Sequence, residues 1–477
     1  MNPPIARLFV IVLVLFAALV AFTSRWSVFD AQALRDNPKN RRALIEELRV
    51  KRGTIRAADG TLLARSEAAG AGTYRRRYTE AASLLPQVIG FSDIDLGRAG
   101  IERSRNDELS GDAGALDDIV DQLKGGVEKG DDVRLSIDLD AQRAALAGLN
   151  GRKGSVVAIE PATGRVRAMV SVPGYDPQSL LTSDRRKALD TDPDAPLLNR
   201  ATQAGYPPGS TFKVVTATAA IDSGEFEPSS VVNGDSPKEI SGVPMANSGN
   251  KSFGDIDLTT ALTFSVNTVW AQVAEKLGKG TMAEYMRKFG FNTDPPMDYP
   301  DGQMLPSGEY RDGALLPPTS RFVDVGRMGI GQDKLRVTPL QMAMVASAVA
   351  NGGELMKPTL TQSIVDPDGR VADRVEPERD RRVMSERTAA QLTEMMTNVV
   401  REGTGTAAAL QGIDVAGKTG TAEIVRDEDI NQPWFIGFAP RAHPKVAIAV
   451  TLENVVGGQG GVVAAPIAKQ VMESLLR

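Results

Sequence analysis

Of all the stretches in this 477-residue chain, Tyr206-Pro207-Pro208-Gly209-Ser210-Thr211-Phe212-Lys213 and the run behind it constrain the fold most. A proline-glycine loop delivers a serine into a segment ending at about Ser223. Within it Val214, Val215, Ala217, Ala219, Ala220 and Ile221 leave almost no polar face. A helix apolar on nearly every side belongs in a core, and Gly224 is its expected C-terminal stop. Ser210 and Lys213, three apart, share a helix face with Cβ atoms about 5–6 Å apart, so the amine is expected to reach the hydroxyl. The serine also lies near a helix start, where unpaired N–H groups and the macrodipole favour developing negative charge. That is a nucleophile beside a base. Read alone, the pair is most simply a helix cap followed by a solvated lysine.

Two further motifs change that reading. Ser265-Val266-Asn267 begins 52 positions after Lys213, and Lys418, in Gly417-Lys418-Thr419-Gly420-Thr421-Ala422-Glu423, lies 151 positions after Asn267. Ser-x-x-Lys, Ser-x-Asn and Lys-Thr-Gly in this order are the joint signature of serine β-lactamases and penicillin-binding proteins. Over nearly its whole length the chain resembles the class B penicillin-binding proteins, monofunctional peptidoglycan D,D-transpeptidases, and an actinobacterial subgroup most of all. The resemblance implies that Ser210 is acylated, that Lys213 is its base, and that Ser265 relays a proton while Asn267 holds Lys213 and the substrate backbone. It implies that Lys418, Thr419 and Thr421 receive the terminal carboxylate of the donor peptide or of penicillin, and that the backbone N–H groups of Ser210 and Thr421 form the oxyanion hole. Gly420 is expected to bare the strand edge for an extended peptide. Burial and the neighbouring charge of Lys418 are expected to lower the Lys213 pKa. Gly329–Gln332 matches a recurring segment near this cleft and reads as architecture.

Composition removes several other chemistries. The chain has 42% hydrophobic residues, enough for two or three domains, and its 55 basic and 60 acidic residues nearly balance, which argues against a nucleic-acid partner. There are no cysteines, so no disulfide framework and no thiol nucleophile. The single histidine, His443, sits in a polar turn, which disfavours a zinc site and a Ser-His-Asp triad. No metal or cofactor is expected.

From Leu8 to Ser24 the chain is free of charge, bounded by Arg7 and Arg25, and it lacks an Ala-x-Ala cleavage site. Residues 1–25 therefore read as an uncleaved signal anchor with one transmembrane helix. Residues 26–130 read as a juxtamembrane helix over 27–52 and then a smaller non-catalytic pedestal. Arg52-Gly53-Thr54-Ile55, the turn at Asp59-Gly60, and Gly100-Ile101-Glu102-Arg103 carry the resemblance there, although Ala57 and Ala58 replace the usual Asp-Arg pair. Residues 131–477 read as the transpeptidase domain, opening with the alternating Val133–Ile137 and a helix capped by Asp138. Strand signals at 154–160, 165–170, 418–425, 434–439 and 446–452, with helices between and a closing helix at 465–476, predict an α+β fold. Its centre is one antiparallel sheet flanked by helices and assembled from distant segments, the arrangement that penicillin-binding transpeptidases and serine β-lactamases have. Stretches 291–321 and 366–382 read as surface loops.

The expected partners follow from the resemblance: stem peptides ending in D-Ala-D-Ala, β-lactam antibiotics, the cell membrane, and a membrane glycan polymerase of the shape, elongation, division and sporulation family. The catalytic domain is expected on the extracytoplasmic side. Rival readings are a D,D-carboxypeptidase or β-lactamase using water as acceptor, and a non-catalytic penicillin sensor or scaffold. The deacylation motif Glu-x-x-Leu-Asn is not found after Ser265, nor a Glu-Asp-x-x-Phe glycosyltransferase motif before residue 131.

Overall fold

The computed structural model describes residues 3–25, 48–94, 96–111, 129–425 and 427–477. Helix α1 (Pro3–Ser24) exposes Leu8, Phe9, Leu15 and Phe16, and its Pro3–Val20 window has a mean hydropathy of 2.5. At about 1.5 Å per residue its length matches a bilayer's hydrocarbon core. It begins before the charge-free run because proline is tolerated in a first helical turn. Most of the helix expected over 27–52 lies outside the described residues.

The longer elements then follow in order: β1 (Ile55–Arg56), β2 (Leu62–Gly70), β3 (Thr73–Tyr78), β4 (Asp132–Leu135), α2 (Leu139–Leu149), β5 (Gly154–Ile159) and β6 (Val166–Val172). Next come α3 (Lys213–Asp222), α4 (Asn267–Lys288, broken at Gly278), α5 (Pro339–Ala350), β7 (Thr361–Val365), β8 (Val371–Arg374) and α6 (Glu386–Arg401). The chain closes with β9 (Ala416–Val425), β10 (Ile430–Ala439), β11 (Val446–Leu452) and α7 (Gly460–Leu475).

The catalytic sheet has the order β9-β10-β11-β5-β6, antiparallel throughout. Strands from the two ends of the domain thus meet at β11 and β5, as the apolar runs at both ends predict. Every residue of β5 and β11 is buried, which requires cover on both faces. Because side chains alternate along a strand, Val157 and Ala449 join the core containing α3, α4 and α5, while Val156 and Val450 join the core of α2 and α7. Nine of the ten α3 residues are buried; sequestering Val214 and Val215 alone contributes about 1.5–3 kcal/mol each.

The second sheet has the order β8-β7-β4-β1-β2-β3 and places a strand in the 366–382 run that reads in sequence as a loop. Strand β4, expected to open the catalytic domain, pairs in parallel with β1 and antiparallel with β7, with Val133 opposite Ile55 and Ile364. Pedestal and catalytic segments therefore share a sheet. The 366–382 run holds β8 and a further short strand, Arg379–Arg382; β8 is exposed along its length because it is an edge strand, where charge blunts association. The 291–304 segment, read in sequence as part of a surface loop, is anchored by buried Phe291, Met297 and Tyr299, while Thr293, Asp294, Asp301 and Gly302 stay exposed. Phe291 packs edge-on against Phe212 at 5.6 Å, the Tyr299 hydroxyl donates to Gln87 O at 2.7 Å, and Asp298 accepts from Arg105 Nη2 and the N–H of Leu360 and Thr361.

Inside the pedestal the fully buried Glu102 accepts from Arg52 Nη2 at 3.0 Å, from Arg76 Nε, and from the Tyr78 hydroxyl at 3.1 Å. Burial alone would push its pKa up; the two guanidiniums outweigh burial and hold it below the usual range. Where the usual Asp-Arg pair is missing, Arg134 reaches across to donate to Ala58 O at 2.7 Å.

Candidate active site

Ser210 sits in a tight 3₁₀ turn, Gly209–Phe212, that runs straight into α3. The turn is wedged between two backbones. Gly209 N donates to Gly331 O at 3.0 Å, and Gly331, at φ +76°, would place a Cβ 1.9 Å from Gly209 O. On the other side, a Cβ on Gly420 would lie 2.7 Å from Pro208 O and 3.0 Å from Thr211 Cγ2. Gly420 is therefore bare so that β9 can press against the nucleophile turn, a different reason from the peptide access expected of it. Upstream, Trp434 Nε1 donates to Pro207 O at 2.9 Å, Tyr206 packs edge-on against Trp434, and Glu453 takes both the Tyr206 hydroxyl and Arg200 Nε.

Two buried lysines converge on one hydroxyl. Lys213 Nζ donates to Ser265 O at 2.8 Å and Asn267 Oδ1 at 2.7 Å, with Ser265 Oγ at 3.2 Å. Lys418 Nζ lies 2.9 Å from Ser265 Oγ and 3.0 Å from Thr419 O. Both side chains are fully buried, and neither forms an ion pair among the described residues. Burial pushes the Lys213 pKa well below the lysine range, with the Lys418 charge adding to it, and burial pushes Lys418 down to about 7. A neutral Lys213 amine would spend its two hydrogens on Ser265 O and Asn267 Oδ1 and keep its lone pair free. Ser265 is held at φ +60°, uncommon for a residue other than glycine.

No Ser210–Lys213 hydrogen bond is present. The amine expected to reach the nucleophile is engaged by Ser265 and Asn267, because Ser210 lies in the tighter turn that precedes α3. Catalytic contacts of this kind commonly tighten only when substrate is bound.

Strand β9 is the edge of the sheet, and its register decides which groups face the cleft. Thr421 pairs with Pro433, which has no N–H, and Pro433 O accepts from the Thr451 hydroxyl of β11 at 3.1 Å. Thr421 therefore occupies a non-hydrogen-bonded position, its N–H and C=O directed away from β10. Consistent with that, a Cβ on Gly209 would lie 2.9 Å from Thr421 O. The free N–H of Thr421 and the nucleophile turn thus share one side of the sheet edge. Thr419 and Thr421 point to the sheet face opposite Lys418: the Thr419 hydroxyl bonds that of Thr404 at 2.6 Å, and Thr421 Oγ1 accepts from Gly460 N at 3.1 Å. Helix α7 can start there because a Cβ on Gly460 would lie 2.3 Å from Gly420 O; it begins five residues before the 465 expected from sequence.

The wall beside α4 depends on Asn247, which sequence reasoning missed along with Thr404, Trp434 and Glu453. Its Oδ1 accepts from Thr268 N, and its Nδ2 donates to Gly234 O and Lys251 O. Nothing local marks Thr404, Trp434 and Glu453, since each acts on residues 15 or more positions away; Asn247 ties its own loop at Lys251 to Gly234 and Thr268, 13 and 21 positions away. His443 is exposed in the turn before β11.

A half-buried serine just before the start of a buried helix, two desolvated lysines on a second serine, and a free strand edge beside them define a serine acyltransferase or hydrolase site. Residues 154–473 match the penicillin binding protein transpeptidase domain, and residues 52–133 match the penicillin binding protein A dimerisation domain. The chain belongs to the penicillin-binding protein transpeptidase family, among its class B members. Peptidoglycan D,D-transpeptidase PbpA of Mycolicibacterium smegmatis is 35% identical over 502 aligned residues, covering 100% of this chain and 99% of that protein. Peptidoglycan D,D-transpeptidase MrdA of Escherichia coli K12 is 28% identical, over 84% of this chain and 71% of that protein. The ceftriaxone acyl-enzyme complex of penicillin-binding protein A from M. tuberculosis superposes with a TM-score of 0.81 at 31% identity, covering 91% of this chain and 100% of that one.

Proposed function

We propose that the chain is a membrane-anchored peptidoglycan D,D-transpeptidase whose acyl-enzyme forms on Ser210. The observation that carries the reading is the pair of buried lysines on Ser265 Oγ, one of which, Lys213, follows Ser210 by three residues. A buried lysine of lowered pKa is a base at neutral pH, and no histidine competes for the role.

In this reading Ser210 Oγ attacks the carbonyl of the penultimate D-Ala while its proton passes to Lys213. The oxyanion is held by the N–H groups of Ser210 and Thr421; one such donor is typically worth about 10²–10³ in rate. As the C–N bond breaks, Ser265 hands a proton to the departing D-Ala amine and regains one from Lys213. An amine of a second stem then attacks the ester, gives up its proton along the same path, and restores the Ser210 hydroxyl. Asn267, with one amide hydrogen beyond the one it gives to Ala246 O, holds Lys213 and the donor backbone. Lys418, on the cleft face of β9, binds the terminal carboxylate; the Thr419 and Thr421 hydroxyls expected to share it are instead turned to the other face by Thr404 and Gly460 N. Gly420 keeps the nucleophile turn against β9. A β-lactam acylates the same serine.

Helix α1, with residues 1–25, anchors the chain, and the catalytic unit, residues 131–477, works on the extracytoplasmic side. Residues 26–130 form a pedestal that sets the height of the site and docks a membrane glycan polymerase of the shape, elongation, division and sporulation family, since no glycosyltransferase motif is present in the chain. The test is full-length protein in detergent with pentapeptide-bearing glycan. Cross-linked muropeptides that disappear in Ser210→Ala are expected; release of D-Ala without cross-links would assign a hydrolase instead.

A further inference from the structure

Beside the catalytic serines, a cation is held on an aromatic platform that the transpeptidase chemistry above does not use. Phe264, immediately before Ser265, is 43% exposed and stacks on Phe253 with ring centroids 6.2 Å apart and planes inclined by 27°. Lys251 Nζ lies 4.6 Å from the Phe253 centroid and 5.9 Å from that of Phe264. A large aromatic side chain left 43% exposed next to a catalytic residue forgoes much of the stabilisation that burial gives, and a lysine laid across it loses side-chain freedom.

The loop that carries Lys251 is tied to the catalytic wall. Asn247 Nδ2 donates to Lys251 O at 2.9 Å while its Oδ1 takes Thr268 N, and Asn267 Nδ2 donates to Ala246 O at 3.1 Å. Lys251 thus stands on the same wall as Ser265 and Asn267. It forms no ion pair among the described residues. The acidic side chains of that loop are turned elsewhere: Asp235 and Asp255 both accept from Asn233 Nδ2, at 3.1 and 3.0 Å. An ammonium pinned by ring faces on one side keeps its remaining N–H donors for solvent or ligand. The group it fits is a carboxylate.

We infer that Lys251, backed by Phe253 and Phe264, is a specificity subsite for a carboxylate on the donor stem peptide, carried by a residue preceding the terminal D-Ala pair. The inference rests on the transpeptidase reading above. The donor is favoured because Asn267, which borders this loop, is the residue assigned to its backbone. Lys418 and β9 already serve the C-terminal carboxylate from the other wall, so Lys251 would read a second anionic group and fix the direction of the peptide in the cleft.

The test uses full-length protein and two donor peptides ending in D-Ala-D-Ala, alike except that one bears a free carboxylate upstream of the terminal pair and the other its carboxamide. The rate of Ser210 acylation is followed by mass spectrometry, with penicillin labelling to report that each variant is folded. The free carboxylate is expected to lower KM by about two- to fivefold with little difference in kcat, the scale of a partly exposed charge pair. Lys251→Met should erase the preference and Lys251→Arg should keep it. Equal KM values in the unaltered protein, or a preference that survives Lys251→Met, would overturn the subsite. If penicillin labels Ser210 but neither donor does, the transpeptidase reading itself is wrong and the subsite falls with it.

Discussion

Replacing Lys418 with methionine should make the protein inactive and more stable. The methionine keeps most of the apolar stem and removes a buried charge that has no carboxylate partner among the described residues. Burial lowers the Lys418 pKa from 10.5 to about 7; at about 1.4 kcal/mol per pH unit this corresponds to about 5 kcal/mol of cost to the folded state. Against it stand the lost hydrogen bonds to Ser265 Oγ and Thr419 O, about 0.5–1.5 kcal/mol each. The net gain is about 2–4 kcal/mol, and its pH dependence follows from linkage. Below pH 7 the lysine is charged whether folded or unfolded, so the folded state carries the whole cost. Between 7 and 10.5 the folded protein has released the proton that the unfolded chain keeps, so wild-type stability climbs with pH and the advantage of the variant shrinks. By pH 9 about 2 kcal/mol of the cost remains, which the lost hydrogen bonds cancel. Urea denaturation of full-length protein at pH 6 and pH 9 reads both values. A variant less stable than wild type at pH 6, or equally stabilised at both, would refute the claim that Lys418 is an uncompensated buried charge.

Other perturbations separate the site from its scaffold. Lys213→Met should slow penicillin acylation by about 10²–10⁴, the range for loss of a general base, measured by stopped-flow mixing with a chromogenic β-lactam; near-normal labelling would require another base. Gly331→Ala, at φ +76° and with its Cβ 1.9 Å from Gly209 O, should displace the nucleophile turn and suppress acylation while Glu102 and the pedestal stay intact by limited proteolysis. Glu102→Gln leaves Arg52 and Arg76 buried without their carboxylate, and should cost about 3–5 kcal/mol by denaturant unfolding while the folded fraction still labels with penicillin.

The motifs of the candidate site were readable because they are short and lie on apolar elements. Val214 to Ile221 announce a buried helix without help from the rest of the chain, and the β5 and β11 runs announce strands covered on both faces. What pairs with what was less readable. Val133 and Leu135 alternate as a half-buried strand does, yet alternation carries no information about which sheet receives it, and β7 lies more than 220 residues further on. The charges of β8 concealed a strand because an edge strand has no buried face to enforce the pattern. Spacing placed Lys213 within reach of Ser210 on an ideal helix; a 3₁₀ turn at Gly209–Phe212, imposed by packing against Gly331 and Gly420, moved its hydrogen bonds to Ser265 and Asn267. Glu453 could not be foreseen, since its partners Arg200 and Tyr206 are about 250 residues away.

The most direct test is the fate of an acyl-enzyme on Ser210. Full-length protein is mixed with a stem-peptide donor ending in D-Ala-D-Ala, quenched, and mapped by mass spectrometry with and without a stem peptide bearing a free amine. A donor adduct lacking the terminal D-Ala should appear on Ser210 alone, disappear in Ser210→Ala, and be converted to amide-linked dimer when the amine is present. An adduct on Ser265, or one that decays to free acid at the same rate with and without the amine, would contradict a transpeptidase built on Ser210.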